Sequence, residues 1–310
     1  MRIPVKILSP KPLLHAACGL LALSATAHAA PPAPDPRSMG GGRCEKNAYN
    51  CADTPNPLPA VKTVWIEQMT WMDVRDALAA GKKTVIIPSG GIEPNGPWTA
   101  LGKHDYVAQG LCEAIARRLG NALCAPVVEF VPEGEAGKGS SHMNTVGTIG
   151  VSDATYAALV SDIARGMKVH GFENIILVGD HGGGQKVLAD VADSLNKEWG
   201  STTAFYIKAF YDSWYGSDAL LQKDMALWKP DVLDGLHDDP DVELQMVLID
   251  PETVRWKERV KAGKATINGV SVADLKKARV WGQKLVDYRA GVTVTAINQA
   301  IAGRAQPSAQ

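Results

Sequence analysis

The chain has 310 residues, of which 45% are hydrophobic, and its 32 basic and 33 acidic residues leave a formal net charge of −1. This hydrophobic content suffices for a sizeable buried core, and we expect one large domain rather than two smaller ones. Because the charge is nearly balanced and no basic cluster occurs, nothing favours nucleic acid or an anionic membrane as a partner.

Residues 1–29 have the pattern of a secretory signal peptide. Three Lys or Arg residues accompany an apolar stretch near residues 13–26, no acidic residue occurs, and the segment ends in Ala-His-Ala at Ala29. A membrane anchor is the alternative, but the apolar stretch is shorter than the ~20 residues of a transmembrane helix. A lipoprotein signal would have its cysteine at the end of this stretch, whereas Cys18 precedes most of it. We therefore predict cleavage after Ala29 and a periplasmic or secreted protein.

Four cysteines remain after this cleavage: Cys44, Cys51, Cys112 and Cys124. Thiols of an exported protein meet an oxidising compartment and tend to pair. We expect the local disulfides Cys44–Cys51 and Cys112–Cys124, although four cysteines permit three connectivities. A zinc site made of all four is the competing hypothesis, and the absence of any CxxC spacing argues against it.

The segment 30–60 is rich in Pro and Gly and reads as an extended leader, and a single domain over 61–305 follows it. In chain order, the predicted elements of that domain are a helix near 70–80, a strand at 83–90, a helix at 105–120, a strand at 122–132, a helix at 152–171, a strand at 174–180, a helix at 184–200, a strand at 202–211, a helix at 241–250 and a long helix around 271–301. Continuous apolar runs such as 175–178 are typical of strands covered on both faces. The alternation predicts an α/β fold, a three-layer α/β/α sandwich with a mostly parallel central sheet.

Active sites of such sheets lie at the carboxyl ends of the strands, which directs attention to the loops 88–105, 132–148 and 179–185. His181 directly follows a predicted buried strand, and the three glycines after it let the backbone approach whatever this histidine holds. The loop matches neither of the glycine-rich phosphate-binding patterns, so metal binding or catalysis is favoured over phosphate binding. A purely structural turn stays open.

The loop after the first strand contains Glu93, and His104 and Asp105 follow eleven and twelve residues later. Carboxylate and imidazole are ligands that Zn²⁺ and Mn²⁺ accept, and a catalytic zinc commonly has three protein ligands. Glu93, His104 and His181 would form such a set, with Asn95 near enough to orient a ligand. The alternative for Asp105 is that it caps the helix that follows.

Two further histidines are candidates for catalysis. His142 is either a structural histidine or one that acts on the substrate, since a neutral imidazole serves both purposes. His237 precedes a run of four carboxylates that ends at Glu243, which is typical of a solvated helix start. If this loop covers the site, His237 is a candidate general acid and Glu243 a candidate base or ligand. No GxSxG motif is present, so a serine nucleophile ranks below a metal-activated water.

Four segments in series resemble the creatininase family, the creatinine amidohydrolases and their metal-dependent relatives. These segments are PSGGIEPNGP, HMNTVGT, DHGGGQ and HDDPDVELQMVLIDPETV, and their order, spacing and strand context agree with the family over residues 62–300. The resemblance implies an α/β/α metallohydrolase that cleaves the C–N bond of an amide, often a cyclic one. It also implies two divalent ions and a homo-oligomer, commonly a hexamer.

The match to the family's ligands is incomplete. Glu93 and His181 fall on family ligands, whereas Asn95 and Trp98 stand where the family has histidines, and Gly183 stands where a carboxylate is possible. The family's shared aspartate falls on His104, or on Asp105 if one residue is inserted.

We therefore predict one Zn²⁺ or Mn²⁺, with two possible, held by Glu93, by His181 and by either His104 or Asp105. The substrate is expected to be a small amide. His237, Glu243 and His142 are the predicted catalytic residues, and Asn95, Trp98 and Trp214 are the predicted substrate contacts. Two alternatives to an amidohydrolase stay open: a non-catalytic binding protein on a degenerate scaffold, and a sugar or lactone enzyme on the same fold.

Overall fold

The protein is represented by a computed structural model that describes residues 38, 43–135, 137–226, 240–267 and 270–304. The chain divides into one unit up to Pro55 and another from Asn56 onward. In the first unit, a short 3₁₀ turn at Ala48–Asn50 follows Asn47, whose side chain accepts a hydrogen bond from the Tyr49 N–H. The disulfide Cys44–Cys51 closes this segment, as the sequence predicts.

Four parallel strands form the sheet of the second unit among its described residues. They are β1 (Thr84–Ser89), β2 (Ala122–Cys124), β3 (Asn174–Gly179) and β4 (Ala204–Tyr206), in the order β2-β1-β3-β4. Every residue of β1 and β3 is buried, because helices cover both faces of the sheet. A separate antiparallel pair, β5 (Thr266–Ile267) and β6 (Val270–Ser271), lies near the C-terminal end.

The helices up to β4 alternate with the strands as the hydrophobic periodicity predicts, whereas the helices Lys208–Leu220 and Trp256–Lys261 are not predicted. They are α1 (Trp71–Ala79), α2 (Lys103–Leu119), α3 (Asp153–Val169), α4 (Gln185–Trp199), α5 (Lys208–Leu220), α6 (Pro240–Ile249), α7 (Trp256–Lys261) and α8 (Leu275–Arg304). Local capping defines several of their ends: Thr70 and Asp73 form a capping box at α1, and the Ser152 side chain accepts the Thr155 N–H at α3. None of the helices among these residues combines the length and the apolar character that crossing a membrane requires.

Two apolar clusters cover the two faces of the sheet. Ile86, Ile176 and Val178 pack with residues of α2, α5, α6 and α8, whereas Val85 and Ile87 pack with residues of α3 and α4. This alternation follows from the strand geometry, in which successive side chains point to opposite faces. The predicted α/β/α sandwich with a mostly parallel sheet is thereby confirmed.

Two predicted strands are shorter in the structure. β2 ends at Cys124, because Pro126 follows closely and offers no backbone N–H to a neighbouring strand, and pairing resumes only at the single bridge of Val128 with Ser89. β4 ends at Tyr206, and the second half of the predicted strand belongs to α5. The aromatic run 205–211 suits either structure, and the helical spacing of buried Phe210, Ser213 and Ser217 accounts for the helix.

The disulfide Cys112–Cys124, also as predicted, joins α2 to the end of β2 inside the core. Replacing both cysteines with alanine is expected to lower the free energy of unfolding by about 2–4 kcal/mol, because the unfolded chain regains the entropy that the cross-link removes. Urea denaturation of the oxidised protein and of the double variant measures this difference. Equal midpoints for the two proteins would contradict a stabilising role for this disulfide.

Candidate metal centre

Four side chains converge at the carboxyl ends of the strands, where each comes from a different segment. Glu93 follows β1, Glu133 follows the segment after β2, His142 lies in the 3₁₀ turn Ser141–Asn144, and His181 follows β3. One ligand atom of each lies within 4.8 Å of those of the other three. Parallel strands bring these loops to one edge of the sheet, which is why residues far apart in sequence meet there. We call these four residues the Glu/His cluster.

Direct contacts hold the Glu/His cluster together. His181 Nε2 lies 2.9 Å from Glu93 Oε2 and 2.9 Å from Glu133 Oε2. His142 Nδ1 lies 3.0 Å from Glu133 Oε2 and also contacts Glu93 Oε2. The second oxygen of Glu133, Oε1, is buried and has no hydrogen-bond partner among the described residues. Two imidazoles and two carboxylates, one with an oxygen to spare, are a donor set that fits Zn²⁺ or Mn²⁺.

The pKa shifts of the cluster residues agree with a site that attracts a cation. Burial alone would lower the pKa of His181, but its hydrogen bonds to Glu133 and Glu93 outweigh burial and raise that pKa to about 9. Burial likewise acts to raise the pKa of Glu93, and hydrogen bonds to His104 and His181 reverse this and hold the pKa well below its usual range. Glu93 and Glu133 thus both face His181 Nε2, and a metal cation would compete with the proton there because histidine binds metal when neutral.

Glycine in the loop after β3 explains how Glu133 reaches the cluster. A Cβ at Gly183 would lie 2.1 Å from the carbonyl oxygen of Pro132, so no side chain fits at this position. The Gly183 N–H donates to His181 Nδ1 at 2.9 Å, which orients the ring with Nε2 toward the carboxylates. The close approach of the two segments therefore places Glu133 beside His181 and excludes any ligand from position 183.

A second set of contacts involves the other carboxylate oxygen of Glu93, which faces away from the Glu/His cluster. Glu93 Oε1 lies 2.7 Å from Lys103 Nζ and 3.0 Å from His104 Nε2. His104 Nδ1 lies 2.7 Å from Asp180 Oδ2, and Asp180 Oδ1 accepts from Arg289 Nη2 at 2.7 Å. Burial acts to raise the pKa of Asp180, but the Arg289 charge and the contact with His104 lower it below its usual range. This buried chain of groups fixes the orientation of the Glu93 carboxylate.

The two alternatives for the third predicted ligand occupy different places. His104 contacts Glu93 but lies outside the Glu/His cluster, between Glu93 and Asp180. Asp105 faces the backbone after β1, where its Oδ1 accepts the Gly91 N–H at 2.9 Å instead of capping α2. Burial, together with neighbouring carboxylates, raises the pKa of Asp105 to about 8. Among the described residues, the candidate ligand atoms that lie together are those of Glu93, Glu133, His142 and His181, and neither His104 nor Asp105 is part of this group.

A cavity of about 520 Å³ opens onto the Glu/His cluster. Aromatic side chains of α5, namely Tyr211, Trp214 and Tyr215, form one wall of it. Among the described residues that line the cavity, Trp214 is the one predicted substrate contact. Asn95 is buried with both polar side-chain atoms unpartnered, and Trp98 is half-buried, and neither lines the cavity.

Two of the three predicted catalytic residues, His142 and Glu243, lie in different places. His142 lies in the Glu/His cluster. Glu243 is buried within α6, where its Oε2 pairs with Arg259 and its Oε1 accepts from Thr99 Oγ1 at 3.2 Å, and it does not line the cavity. This ion pair satisfies the carboxylate away from the cluster. His237 lies outside the described residues.

Two residues of the site, Glu133 and Lys103, are not predicted from the sequence. Glu133 lies at the start of the loop 132–148, which the strand topology predicts to be at the site, but no motif distinguishes it from Glu129 or Glu135 nearby. Lys103, at the first position of α2, lines the cavity next to Glu93. A buried lysine is not recognisable in sequence, because its burial depends on elements from other parts of the chain.

Comparison with known proteins identifies relatives of this fold. The creatininase family model, described as creatinine amidohydrolase, matches residues 67–300. A creatinine amidohydrolase of Pseudomonas putida is 26% identical over 120 residues, which is 39% of this chain and 45% of that protein. The match with this relative thus spans less than half of its length.

Solved creatininase structures share the fold at lower sequence identity. A mutant creatininase described as the Zn-Zn type is 20% identical and has a TM-score of 0.59, and the match covers 77% of this chain and 98% of that chain. A creatininase described with Mn is also 20% identical, with a TM-score of 0.54 over 79% of this chain and all of the other.

The buried pair of Arg289 and Asp180 yields a stability prediction. Replacing Arg289 with methionine is expected to lower the free energy of unfolding by about 3–5 kcal/mol, because Asp180 then stays buried without its cation. The double variant Arg289→Met/Asp180→Asn should lose less than the sum of the two single variants, since the two residues contact each other. Urea denaturation measures all three.

A matched control is the exposed pair of Arg165 and Glu198. Arg165→Met should change the unfolding midpoint little, because exposed ion pairs are screened by water. A loss as small for Arg289→Met as for Arg165→Met would contradict the role assigned to the buried pair.

Proposed function

The chain belongs to the creatininase family, and we propose from this premise that it is an exported, metal-dependent hydrolase that cleaves the C–N bond of a small amide. The observation that carries the proposal is the Glu/His cluster at the carboxyl ends of β1 and β3, facing a cavity large enough for a small molecule. Export rests on the signal-peptide pattern of residues 1–29. We also propose a homo-oligomer, and this part rests on the family resemblance, in which a hexamer is the common form.

Glu93, Glu133, His142 and His181 would hold one Zn²⁺ or Mn²⁺. When bound, such an ion lowers the pKa of a water molecule toward neutrality and polarises a carbonyl group, the two functions that amide hydrolysis needs. Hydrolysis would join the water oxygen to the carbonyl carbon and break the C–N bond, and the proton that the water gives up would be matched by the proton that the leaving nitrogen takes up.

The chain's own residues orient and enclose this reaction. His104 and Lys103 keep the Glu93 carboxylate in place, and the aromatic wall of α5 lines one side of the cavity. Since Glu243 is engaged with Arg259, His237 is the general acid we propose for the leaving nitrogen. The flat ring of Trp214 at the cavity favours a small, planar amide, a cyclic one included.

The Glu/His cluster also bears on the two alternative functions. A degenerate scaffold would have lost its ligands without replacement, whereas Glu133 and His142 supply donors where Asn95 and Gly183 offer none. A sugar or lactone enzyme would use the same cluster, so the substrate panel below includes lactones. Metal binding without hydrolysis of any amide in the panel would favour that alternative.

Substitution of the ligands tests the proposal. The wild-type protein, purified without chelator, is expected to hold roughly one equivalent of Zn or Mn, as a single centre of this kind does. His181→Ala, Glu133→Gln and His142→Ala should each weaken metal affinity by more than about 100-fold, whereas His104→Gln, which alters a group behind a ligand, should weaken it by about 10–100-fold. Elemental analysis, metal titration and turnover of a panel of linear and cyclic amides measure these effects.

Glu135→Gln is the matched control for Glu133→Gln, because Glu135 is exposed and pairs with Lys138 on the surface. It should leave metal content and turnover unchanged. Protein without any metal would overturn the proposed function. A loss of metal in His104→Gln alone, with Glu133→Gln and His142→Ala intact, would overturn the ligand set.

Export makes a separate prediction. Protein recovered from the periplasm or medium of a Gram-negative host should begin at Ala30, because signal peptidases cleave after small residues such as those at Ala27 and Ala29. Intact mass and N-terminal sequencing check this. Replacing Ala29 with a bulky residue should leave the precursor uncleaved, and full-length wild-type protein in the cytoplasm would contradict export.

A further inference from the structure

Lys103 is a buried cation beside the Glu/His cluster. Its side chain is 3% exposed, it stands at the first position of α2, and its Nζ lies 2.7 Å from Glu93 Oε1. It also lines the cavity onto which the cluster opens. Lysine is almost never buried to this degree unless it is paired, so the position of its ammonium is a defined feature of the site.

The Glu93 carboxylate is divided between two kinds of partner. Its Oε2 faces His181 within the cluster, at 2.9 Å, whereas its Oε1 faces Lys103 and His104. In hydrolases with two metal ions the ions lie about 3.5–4 Å apart and act together on the reacting oxygens. A metal ion on one side of Glu93 and an ammonium on the other would reproduce this arrangement with a single ion.

We propose that the Lys103 ammonium takes the place of a second metal ion, so that the enzyme works with one ion and one fixed cation. The inference rests on the proposed function, since it assumes a metal in the Glu/His cluster. It makes Lys103 a catalytic residue: while the ammonium stays paired with Glu93, its N–H groups bind the carbonyl oxygen of the amide substrate.

The surrounding ligands support a single ion. Within the described ranges, the Glu/His cluster is the one group of three or more His, Cys, Asp or Glu side chains that could hold a metal. Position 183 admits no side chain, because a Cβ there would lie 2.1 Å from the carbonyl oxygen of Pro132. Position 183 therefore offers no ligand to a second ion.

The charges of the buried groups also favour a single metal ion. Glu93 and Glu133 carry two negative charges, one divalent ion supplies two positive charges, and the Lys103 ammonium adds a third beside Glu93, whereas Asp180 is paired with Arg289. A second divalent ion next to the Lys103 ammonium would be repelled by it, in a buried site where such repulsion is only weakly screened.

The geometry also suits binding of a carbonyl oxygen. An ammonium has three N–H donors, and Glu93 is the partner that Lys103 has among the described residues. The ion pair holds the ammonium at the cavity before the substrate arrives. A preorganised cation of this kind stabilises the negative charge that develops on the carbonyl oxygen as the amide is attacked.

Metal stoichiometry of the full-length wild-type protein is the first test. Titration with Zn²⁺ or Mn²⁺, followed by elemental analysis, should saturate at one equivalent per chain. Two equivalents would overturn the inference about Lys103 and leave the proposed function intact. No bound metal would overturn the proposed function itself, so the two failures are distinguishable.

The second test separates metal binding from turnover. Lys103→Met is expected to keep one equivalent of metal, because all four side chains of the Glu/His cluster are unchanged. Its kcat on the amide that the wild type hydrolyses should fall by about 100-fold or more, the effect of losing a preorganised oxyanion partner. Lys208→Met, at an exposed ion pair with Asp212, is the control and should change neither quantity.

A conservative variant guards against misfolding. Lys103→Arg keeps the cation, so at equal metal content it should retain a higher kcat than Lys103→Met, and thermal unfolding of both shows whether each is folded. Wild-type turnover in Lys103→Met, or equal turnover in the Met and Arg variants, would show that Lys103 only neutralises Glu93 and would overturn the inference.

Discussion

The site depends on one buried carboxylate, that of Glu93, whose two oxygens are held from opposite sides. Oε2 belongs to the Glu/His cluster, and Oε1 is held by Lys103 and His104. A carboxylate buried in a protein must be paired and hydrogen-bonded, or it takes up a proton instead. The partners of Glu93 therefore keep its carboxylate available as a metal ligand, and the other elements of the fold place those partners around it.

The buried pair of Asp180 and Arg289 connects this loop to the rest of the fold. Asp180 follows β3 and Arg289 comes from the long C-terminal helix α8, and both are fully buried. Arg289 also lies over the ring of Trp214, with its guanidinium carbon 3.7 Å from the ring centroid. One arginine thus orients His104 through Asp180 and contacts the aromatic wall of the cavity, so core packing and site geometry cannot vary independently.

The departures from the family pattern are compensated within the site. Gly183 cannot carry a ligand because the Pro132 carbonyl approaches it so closely, and the same approach brings Glu133 beside His181. In the proposed site, the donors missing from the first and third loops would come from the segment 132–148. A different donor set on the same architecture is consistent with the rule that function resides in sites placed on folds.

Sequence alone determined what depends on local periodicity and strand topology: the buried strands β1 and β3, the helices other than α5 and α7, and the three loops that meet at one edge of the sheet. It favoured the two short-range disulfides without excluding the other connectivities. It did not determine which side chain of a loop faces Glu93. Lys103, His104 and Asp105 are consecutive on α2, so each side chain points about 100° away from the next. Only the packing of α2 decides that Lys103 lines the cavity, that His104 contacts Asp180 and that Asp105 accepts a backbone N–H. Glu133 was equally hidden, because its contact with His181 depends on how closely two distant segments approach each other in the folded chain.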